Sequence, residues 1–174
     1  GNSNTGRTVA LADSLTRENI YDAMRNMRIY ATEDNDLSIY YTLDDFIMGT
    51  VLAEGDAGDT ADISVQISDA TDSSIGTVQV IVNGGMVAAS KEVTASSDTV
   101  TFSIPENYSY YYIKIIQPDG DIAVTAPVWV GEVEAAGISL VSTTESLPIQ
   151  GEELNIDLEL YNNENVTLNL LSVE

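Results

Sequence analysis

Residues 63–68 read Ile-Ser-Val-Gln-Ile-Ser and alternate apolar with polar side chains, which is the period of a half-buried β-strand. The same alternation occurs in residues 37–42 and 78–82. Four further runs have strand-like composition: residues 86–91, 99–104, 109–116 and 122–130. Turn-forming Gly, Pro and Asn residues separate many of these runs. The pattern therefore predicts a mainly β protein with an immunoglobulin-like β-sandwich over residues 37–131.

The composition excludes several kinds of chemistry. The chain has 28 acidic and 6 basic residues, a net charge of −22, and neither His nor Cys. Without these residue types it has no Ser-His-Asp triad, imidazole or thiolate metal site, or disulfide. Its negative charge would repel phosphate backbones, so we expect no nucleic-acid partner. No apolar run is long enough to predict a membrane span.

The start of the chain differs from the rest in charge and in period. Residues 1–28 carry a net charge of +1, whereas the remainder carries −23. Thr16 is suited to cap a helix that ends near Arg28. Four apolar residues at helical spacing form one stripe along it: Ile20, Ala23, Met24 and Met27.

Short strands are predicted on either side of this helix, at residues 8–12 and 28–32. Strand, helix and strand in this length fit one βα step of a parallel sheet, so we interpret residues 1–36 as a short βαβ remnant. The apolar stripe should then pack on these two strands. Because they lack upstream neighbours, their exposed edges should pair with a second copy of the chain, giving a homo-oligomer.

The end of the chain predicts a second β region at residues 138–174. Its strand-like runs are residues 138–141, 154–160 and 166–173. Three strands are marginal as an independent body. They either pack on the first sandwich or begin a partial second β-sandwich, and the second interpretation is favoured.

Acidic loop residues raise the hypothesis of a Ca²⁺ site, because carboxylate oxygens are ligands that this ion prefers. The candidates are the acidic stretch Glu54, Asp56, Asp59, Asp62, Asp69 and Asp72, together with Asp119 and Asp121. Their spacing does not match an EF-hand, and solvated loop charge is the favoured interpretation. Glu33, Asp34 and Asp36 could also bind a cation, although exposure to water is the default explanation for them.

Aromatic residues raise the hypothesis of carbohydrate binding. Tyr108, Tyr110 and Tyr112 would share one face of a strand, while Tyr111 would lie on the opposite face. An exposed row of rings could stack on sugars, but one face of this strand must line the core. Trp129, the one Trp of the chain, lies between two Val residues and is expected in the core.

Two stretches resemble a known family. Residues 3–34, above all Arg-Ile-Tyr-Ala-Thr-Glu-Asp at 28–34, are similar to the tail of a PHP domain. This is the polymerase and histidinol phosphatase type of metal-dependent phosphoesterase. Residues 112–130, which include the turn Gln-Pro-Asp-Gly, are similar to the close of the β-rich region that follows this domain in large exported bacterial members.

The resemblance implies a role without catalysis. The family's metal ligands include His residues upstream of the segment seen here, so no ligand position carries over to this chain. It implies a non-catalytic accessory module whose partner is the parent catalytic domain in cis, located outside the cell or in the bacterial envelope. The alternative left open is a calcium- or carbohydrate-binding extracellular module.

Overall fold

A computed structural model describes residues 6–53, 60–105, 108–131, 137–143 and 156–161. The chain is divided into two compact units, Gly1–Glu132 and Val133–Glu174. The elements of the first unit are β1 (Arg7–Ala10), α1 (Arg17–Arg25), β2 (Ile29–Thr32), β3 (Ser38–Leu43), β4 (Phe46–Ile47), β5 (Val51–Leu52), β6 (Thr60–Ser68), β7 (Gly76–Val82), β8 (Met86–Val93), β9 (Ser97–Pro105), β10 (Tyr110–Ile116), β11 (Ile122–Thr125) and β12 (Val128–Val130). The second unit has β13 (Gly137–Thr143) and β14 (Ile156–Tyr161). The predicted mainly β class is confirmed.

The smaller sheet of the first unit has the order β4-β3-β6-β9, and all its pairs are antiparallel. Its strands follow the alternation of the sequence. In β6, for example, Ile63, Val65 and Ile67 are buried, while Gln66 and Ser68 are exposed. The three longer strands, β3, β6 and β9, therefore have one apolar face towards the core and one mainly polar face towards water.

The larger sheet is organised around β10. One edge of β10 pairs with β7, which pairs in turn with β8. The other edge pairs with β11 at Lys114–Ile116 and with β12 at Tyr110 and Tyr111. The single strand predicted at residues 122–130 is therefore two strands, β11 and β12. The pairing with β10 is interrupted between them, because Pro127 has no N–H to donate and the amide of Ala126 donates to the carbonyl of Ile29.

The core lies between the inner faces of the two sheets. Ile39 and Val65 from the smaller sheet join Val80 and Ile113 from the larger one in a single buried cluster. Hydrogen bonds also join the sheets: the buried hydroxyl of Tyr41 donates to the carbonyl of Tyr111 at 3.1 Å, and the hydroxyl of Tyr111 donates to the carbonyl of Pro105 at 3.5 Å. Burial of each such aliphatic side chain contributes about 1.5–3 kcal/mol, so this cluster is the main source of stability.

The predicted parallel βα step is wrong. β1 and β2 flank α1 as expected, but they pair with each other antiparallel. A parallel connection needs a helix that packs across the sheet, and Ala23 is the one buried residue of α1. The backbone amide of Leu11 also donates to the carbonyl of Arg28, which extends the antiparallel pairing by one residue beyond Ala10 and Ile29.

Two expectations about this segment also need correction. The apolar stripe does not dock as a whole, because Met24 and Met27 stay exposed and α1 already ends at Arg25. The strand at residues 28–32 has no open edge, since β2 pairs with β1 on one side and with β11 on the other. Among the described residues, β1 is the terminal strand of this branch of the sheet, and its pairing with a second copy stays a prediction.

The chain passes from the smaller to the larger sheet between β4 and β5, and Gly49 makes this passage possible. Its φ of +88° lies in the left-handed region. A Cβ at this position would lie 2.2 Å from the carbonyl oxygen of Asn26. The amide of Gly49 also donates to the carbonyl of Pro127 at 2.8 Å. Only glycine fits this contact with the end of the helical segment.

In the second unit, β13 and β14 pair antiparallel, with a register shift between Leu140 and Ser142. These strands correspond to the runs predicted at residues 138–141 and 154–160. The third predicted run, residues 166–173, lies outside the described residues.

Candidate functional site

An apolar strip crosses the outer face of the larger sheet, and we call it the outer strip. Its residues lie side by side because they are paired across neighbouring strands, with Tyr110 and Tyr112 on the same face of β10. In order across the sheet, the six residues are Val51, Trp129, Tyr110, Tyr112, Ile81 and Val87. The strip is open at its ends, where 63% of Val51 and 48% of Val87 are exposed. Ile81, between Tyr112 and Val87, is buried. An apolar row of this kind on an outer face is typical of a contact surface.

Aromatic rings form the middle of the outer strip. Tyr110 and Tyr112 stack with ring centroids 6.3 Å apart and planes inclined by 19°. The ring of Trp129 meets Tyr110 edge to face, with centroids 5.4 Å apart. The Tyr110 hydroxyl accepts a hydrogen bond from the amide of Gly84. These contacts hold the rings in place, so the strip is a preformed surface.

The expected core position of Trp129 is wrong, because the side chain is half-buried on the outer face. β12 directs Val128 into the core, and strand alternation turns its neighbour outwards. Tyr110 and Tyr112 share a face as predicted, whereas Tyr108 precedes β10 and packs edge to face against Tyr111 at 5.8 Å. Tyr108 is therefore part of the packing around the core and not of the strip.

The outer strip continues towards α1. Val51 lines a shallow depression together with Met27 and Ile47, and the depression is bordered by Arg25 and Arg28. Four of the six basic residues of the chain lie in residues 1–28. This side of the molecule therefore combines exposed apolar side chains with the basic part of a strongly acidic chain.

Four carboxylates and one amide meet at another place, where β3 begins and β6 and β10 end. We call this group the acidic cluster: Asp34, Asp36, Asp69, Asp72 and Gln117. Carboxylate oxygens of Asp34, Asp36 and Asp69 all lie within 4.8 Å of one another. Neither of the two ion pairs among the described residues involves a member of this cluster.

Gln117 holds the acidic cluster together from the core side. Its side chain is 3% exposed, and its Nε2 donates to Asp34 and Asp69 at 2.9 Å each and to Asp72 at 3.5 Å. Its Oε1 is buried and has no partner among the described residues. Asp69 is also buried, and its Oδ1 accepts the backbone amides of Thr71 and Asp72.

The environment shifts the carboxyl groups in different directions. Burial alone would raise the pKa of Asp34, but hydrogen bonds from the Asp36 backbone and from Gln117 outweigh it and lower the pKa. The pKa of Asp36 is raised, chiefly by its hydrogen bond with Asp34. Desolvation and then the nearby charge of Asp69 raise the pKa of Asp72. The cluster thus contains crowded negative charge.

The calcium candidates named from the sequence fall in different places. Glu54, Asp56 and Asp59 lie outside the described residues. Asp62 lies at the start of β6, the end opposite to Asp69, and accepts a hydrogen bond from Ser103. Asp119 and Asp121 lie beside the acidic cluster, in the turn that follows Gln117, whose backbone amide donates to the carbonyl of Asp121 at 2.9 Å. Desolvation and then the charges of Asp119, Glu33 and Asp34 raise the pKa of Asp121.

Sequence reasoning noticed several carboxylates of the cluster but not that they meet. Antiparallel pairing of Ser38 with Ser68 places the start of β3 beside the end of β6, which brings Asp36 and Asp69 together. The sequence shows only that Asp36 precedes one predicted strand and Asp69 follows another, and the antiparallel pairing of these two strands is what brings the residues together. The sequence predicts Gln117 only as part of the turn Gln-Pro-Asp-Gly, and nothing in the sequence marks it as buried.

The fold places the chain among mainly β proteins with two packed sheets. Neither protein-family models, nor curated proteins, nor solved structures contain a match to this chain. No helix in the described ranges is long and apolar enough to cross a bilayer.

Proposed function

We propose that this chain is a non-catalytic accessory module, immunoglobulin-like in architecture, that packs against another protein domain through the outer strip. The observation that carries this proposal is the preformed aromatic strip, open at Val51 and Val87, on the face of the sheet away from the core. Aromatic side chains that are rigid and half-exposed are the usual anchors of protein contacts.

The chemistry of the strip favours a protein surface as its partner. Aliphatic side chains flank the rings, and the depression beside them carries Met27, Arg25 and Arg28, of which Arg28 already pairs with Asp22. An apolar surface bordered by positive charge suits a partner with an apolar patch and acidic rim. The absence of His and Cys in the sequence supports a role without an imidazole- or thiolate-bound metal centre and without thiol chemistry.

The resemblance of residues 3–34 and 112–130 to exported PHP-type phosphoesterases supports the identity of this partner. We propose the parent catalytic domain in cis, in a bacterial protein that acts outside the cell or in its envelope. In this arrangement the module would hold and orient the catalytic domain and would contribute no residue to the reaction.

Hydroxyl-radical footprinting of this chain alone and within the full-length natural protein tests the proposal. We expect oxidation of Trp129, Tyr110 and Met27 to fall several-fold in the full-length protein, because docking would exclude water from them. Tyr40 is the matched control, since it is 43% exposed on the outer face of the smaller sheet and should be oxidised equally in both. Equal oxidation of Trp129 in both proteins would contradict the proposal.

A neutral sugar polymer is the second candidate ligand, favoured by the nearly parallel rings of Tyr110 and Tyr112. Trp129 is the one Trp of the chain, so its fluorescence reports directly on this surface. Titration with a panel of neutral polysaccharides should leave its emission unchanged if the strip binds protein. A saturable change that Tyr112→Ala abolishes and Tyr40→Ala preserves would favour the sugar.

A further inference from the structure

We propose that the partner domain places a carboxylate against Lys114, beside the aromatic rings of the outer strip. This inference rests on the proposed function, because it names the chemistry of the surface that the strip contacts. It follows from the position of Lys114, from the uncharged residues around it and from its lack of an ion-pair partner in the described part of the chain.

Lys114 lies on the same face of the larger sheet as the outer strip. Ile113 and Ile115 of β10 are buried in the core, so the alternate residues Tyr112 and Lys114 face outwards. Residues two apart on a strand are separated by about 7 Å, which places the base of the Lys114 side chain next to Tyr112. The lysine is half-buried at this position.

The outward-facing residues that surround Lys114 are uncharged. Strand pairing places Gln79 of β7 on one side of it and Val124 of β11 on the other. Tyr112 and Ile116 lie before and after it on the same face of β10. The side chain of Lys114 therefore places a single positive charge on an otherwise neutral part of the outer face.

The charge of Lys114 is not balanced by any carboxylate within the described residues. The two ion pairs found there belong to Arg28 and Lys91. Glu92, farther out on the same face, accepts a hydrogen bond from the hydroxyl of Thr77 instead. Carboxylates are abundant in this chain, with 28 acidic residues against 6 basic ones, so Lys114 stands apart from its own composition.

Docking on the outer strip makes a carboxylate in the partner necessary. A surface that covers Tyr112 also covers Lys114 and removes water from its ammonium group. Desolvation of an unpaired charge is costly, and a carboxylate bonded to the ammonium offsets this cost. Such a pair also fixes the orientation of the two surfaces. The partner surface therefore combines an apolar patch, opposite the rings, with an Asp or Glu side chain beside that patch.

Carbodiimide cross-linking joins a lysine to a carboxylate in direct contact, so it tests the proposal in the full-length natural protein and in this chain alone. We expect Lys114 to be linked to an Asp or Glu outside this chain in the full-length protein, and to remain unlinked in the isolated chain. Lys91 is the internal control, because its ammonium lies 3.6 Å from the carboxylate of Asp98 and should be linked to it in both. Mass spectrometry of the peptides identifies the linked residues.

Charge reversal gives a second measurement. In the full-length protein, Lys114→Glu should reduce the protection of Trp129 from hydroxyl radicals several-fold, because two negative charges would then face each other. Lys91→Glu is the matched control and should preserve this protection. Lys91 pairs with the buried Val78, so it does not lie on the outward face of the sheet.

The possible outcomes separate this inference from the proposed function. The inference is overturned if Lys114 stays unlinked while Trp129 is protected, or if Lys114 is linked to a carboxylate of the isolated chain. Equal protection of Trp129 in Lys114→Glu and in the wild type would also overturn it. Loss of both the cross-link and the Trp129 protection in the wild type would overturn the proposed function as well.

Discussion

The two sheets of the first unit are alike on their inner faces and different on their outer faces. Ile63 in the smaller sheet and Ile113 in the larger one are both fully buried in the shared core. Outside, the smaller sheet presents Tyr40 among hydrophilic neighbours such as Gln66 and Thr99. The larger sheet presents the outer strip instead.

This difference distinguishes the apolar surface that the fold requires, on the inner faces, from apolar surface that the fold does not require, on the outer face of the larger sheet. A sandwich requires only its inner faces to be apolar, and the smaller sheet follows this rule. The second apolar surface on the larger sheet adds little to the core, so it calls for another explanation. A partner surface provides one, and the following substitutions test how separate the two roles are.

The largest effect should come from the inner faces. Ile63→Ala and Ile113→Ala should each lower the free energy of unfolding by about 2–5 kcal/mol, since both leave a cavity in the same core. Urea denaturation followed by circular dichroism measures this. The partly exposed Ile122 is the control, and Ile122→Ala should cost clearly less. A small effect at only one of the two core positions would show that the sheets do not share one core.

A smaller effect is expected at the passage between the sheets. Gly49→Ala should cost about 2–3 kcal/mol, because it combines a positive φ with a collision against the Asn26 carbonyl. Gly84→Ala is the matched control, since Gly84 also has a positive φ but nothing lies within 4 Å of its added Cβ. Differential scanning calorimetry should give a clearly lower melting temperature for Gly49→Ala than for Gly84→Ala. Equal melting temperatures would remove the argument for a close contact there.

The smallest effect on stability should come from the outer faces. Trp129→Ala should cost about 1–2 kcal/mol, since it removes the edge-to-face contact with Tyr110 and the part of the side chain that is buried, and Tyr40→Ala should cost less. Chemical denaturation of both variants provides the comparison. A loss of several kcal/mol in Trp129→Ala would mean that the strip is part of the folding core, and this would weaken the proposed contact role.

The strands were predictable because alternation records which face is buried. The runs at residues 63–68 and 78–82 correspond to β6 and β7, and the Gly-rich and Pro-Asp-Gly turns lie between antiparallel strands. The direction of β1 relative to β2 was not predictable in this way. A strand, a helix and a strand in sequence fit either direction, and the choice depends on what the helix packs against.

The outer strip and the acidic cluster also differ in how much of each could be predicted from local sequence pattern. The sequence identified Tyr110 and Tyr112 as neighbours, because two residues on one strand face need only the strand period. It did not place Trp129 beside them, since that contact depends on how β12 pairs with β10. The acidic cluster joins segments separated by up to 83 positions, so local pattern could not reveal it.

The amino-acid sequence by itself determined the class of fold, the positions of most strands, the excess of negative charge and the lack of imidazole and thiol ligands. These properties depend on residue type and on local period. Only the tertiary structure decided the antiparallel pairing of β1 with β2, the outward position of Trp129 and the meeting of Asp34, Asp69 and Gln117. Those features depend on strand register and on burial between distant segments, which local periodicity does not encode.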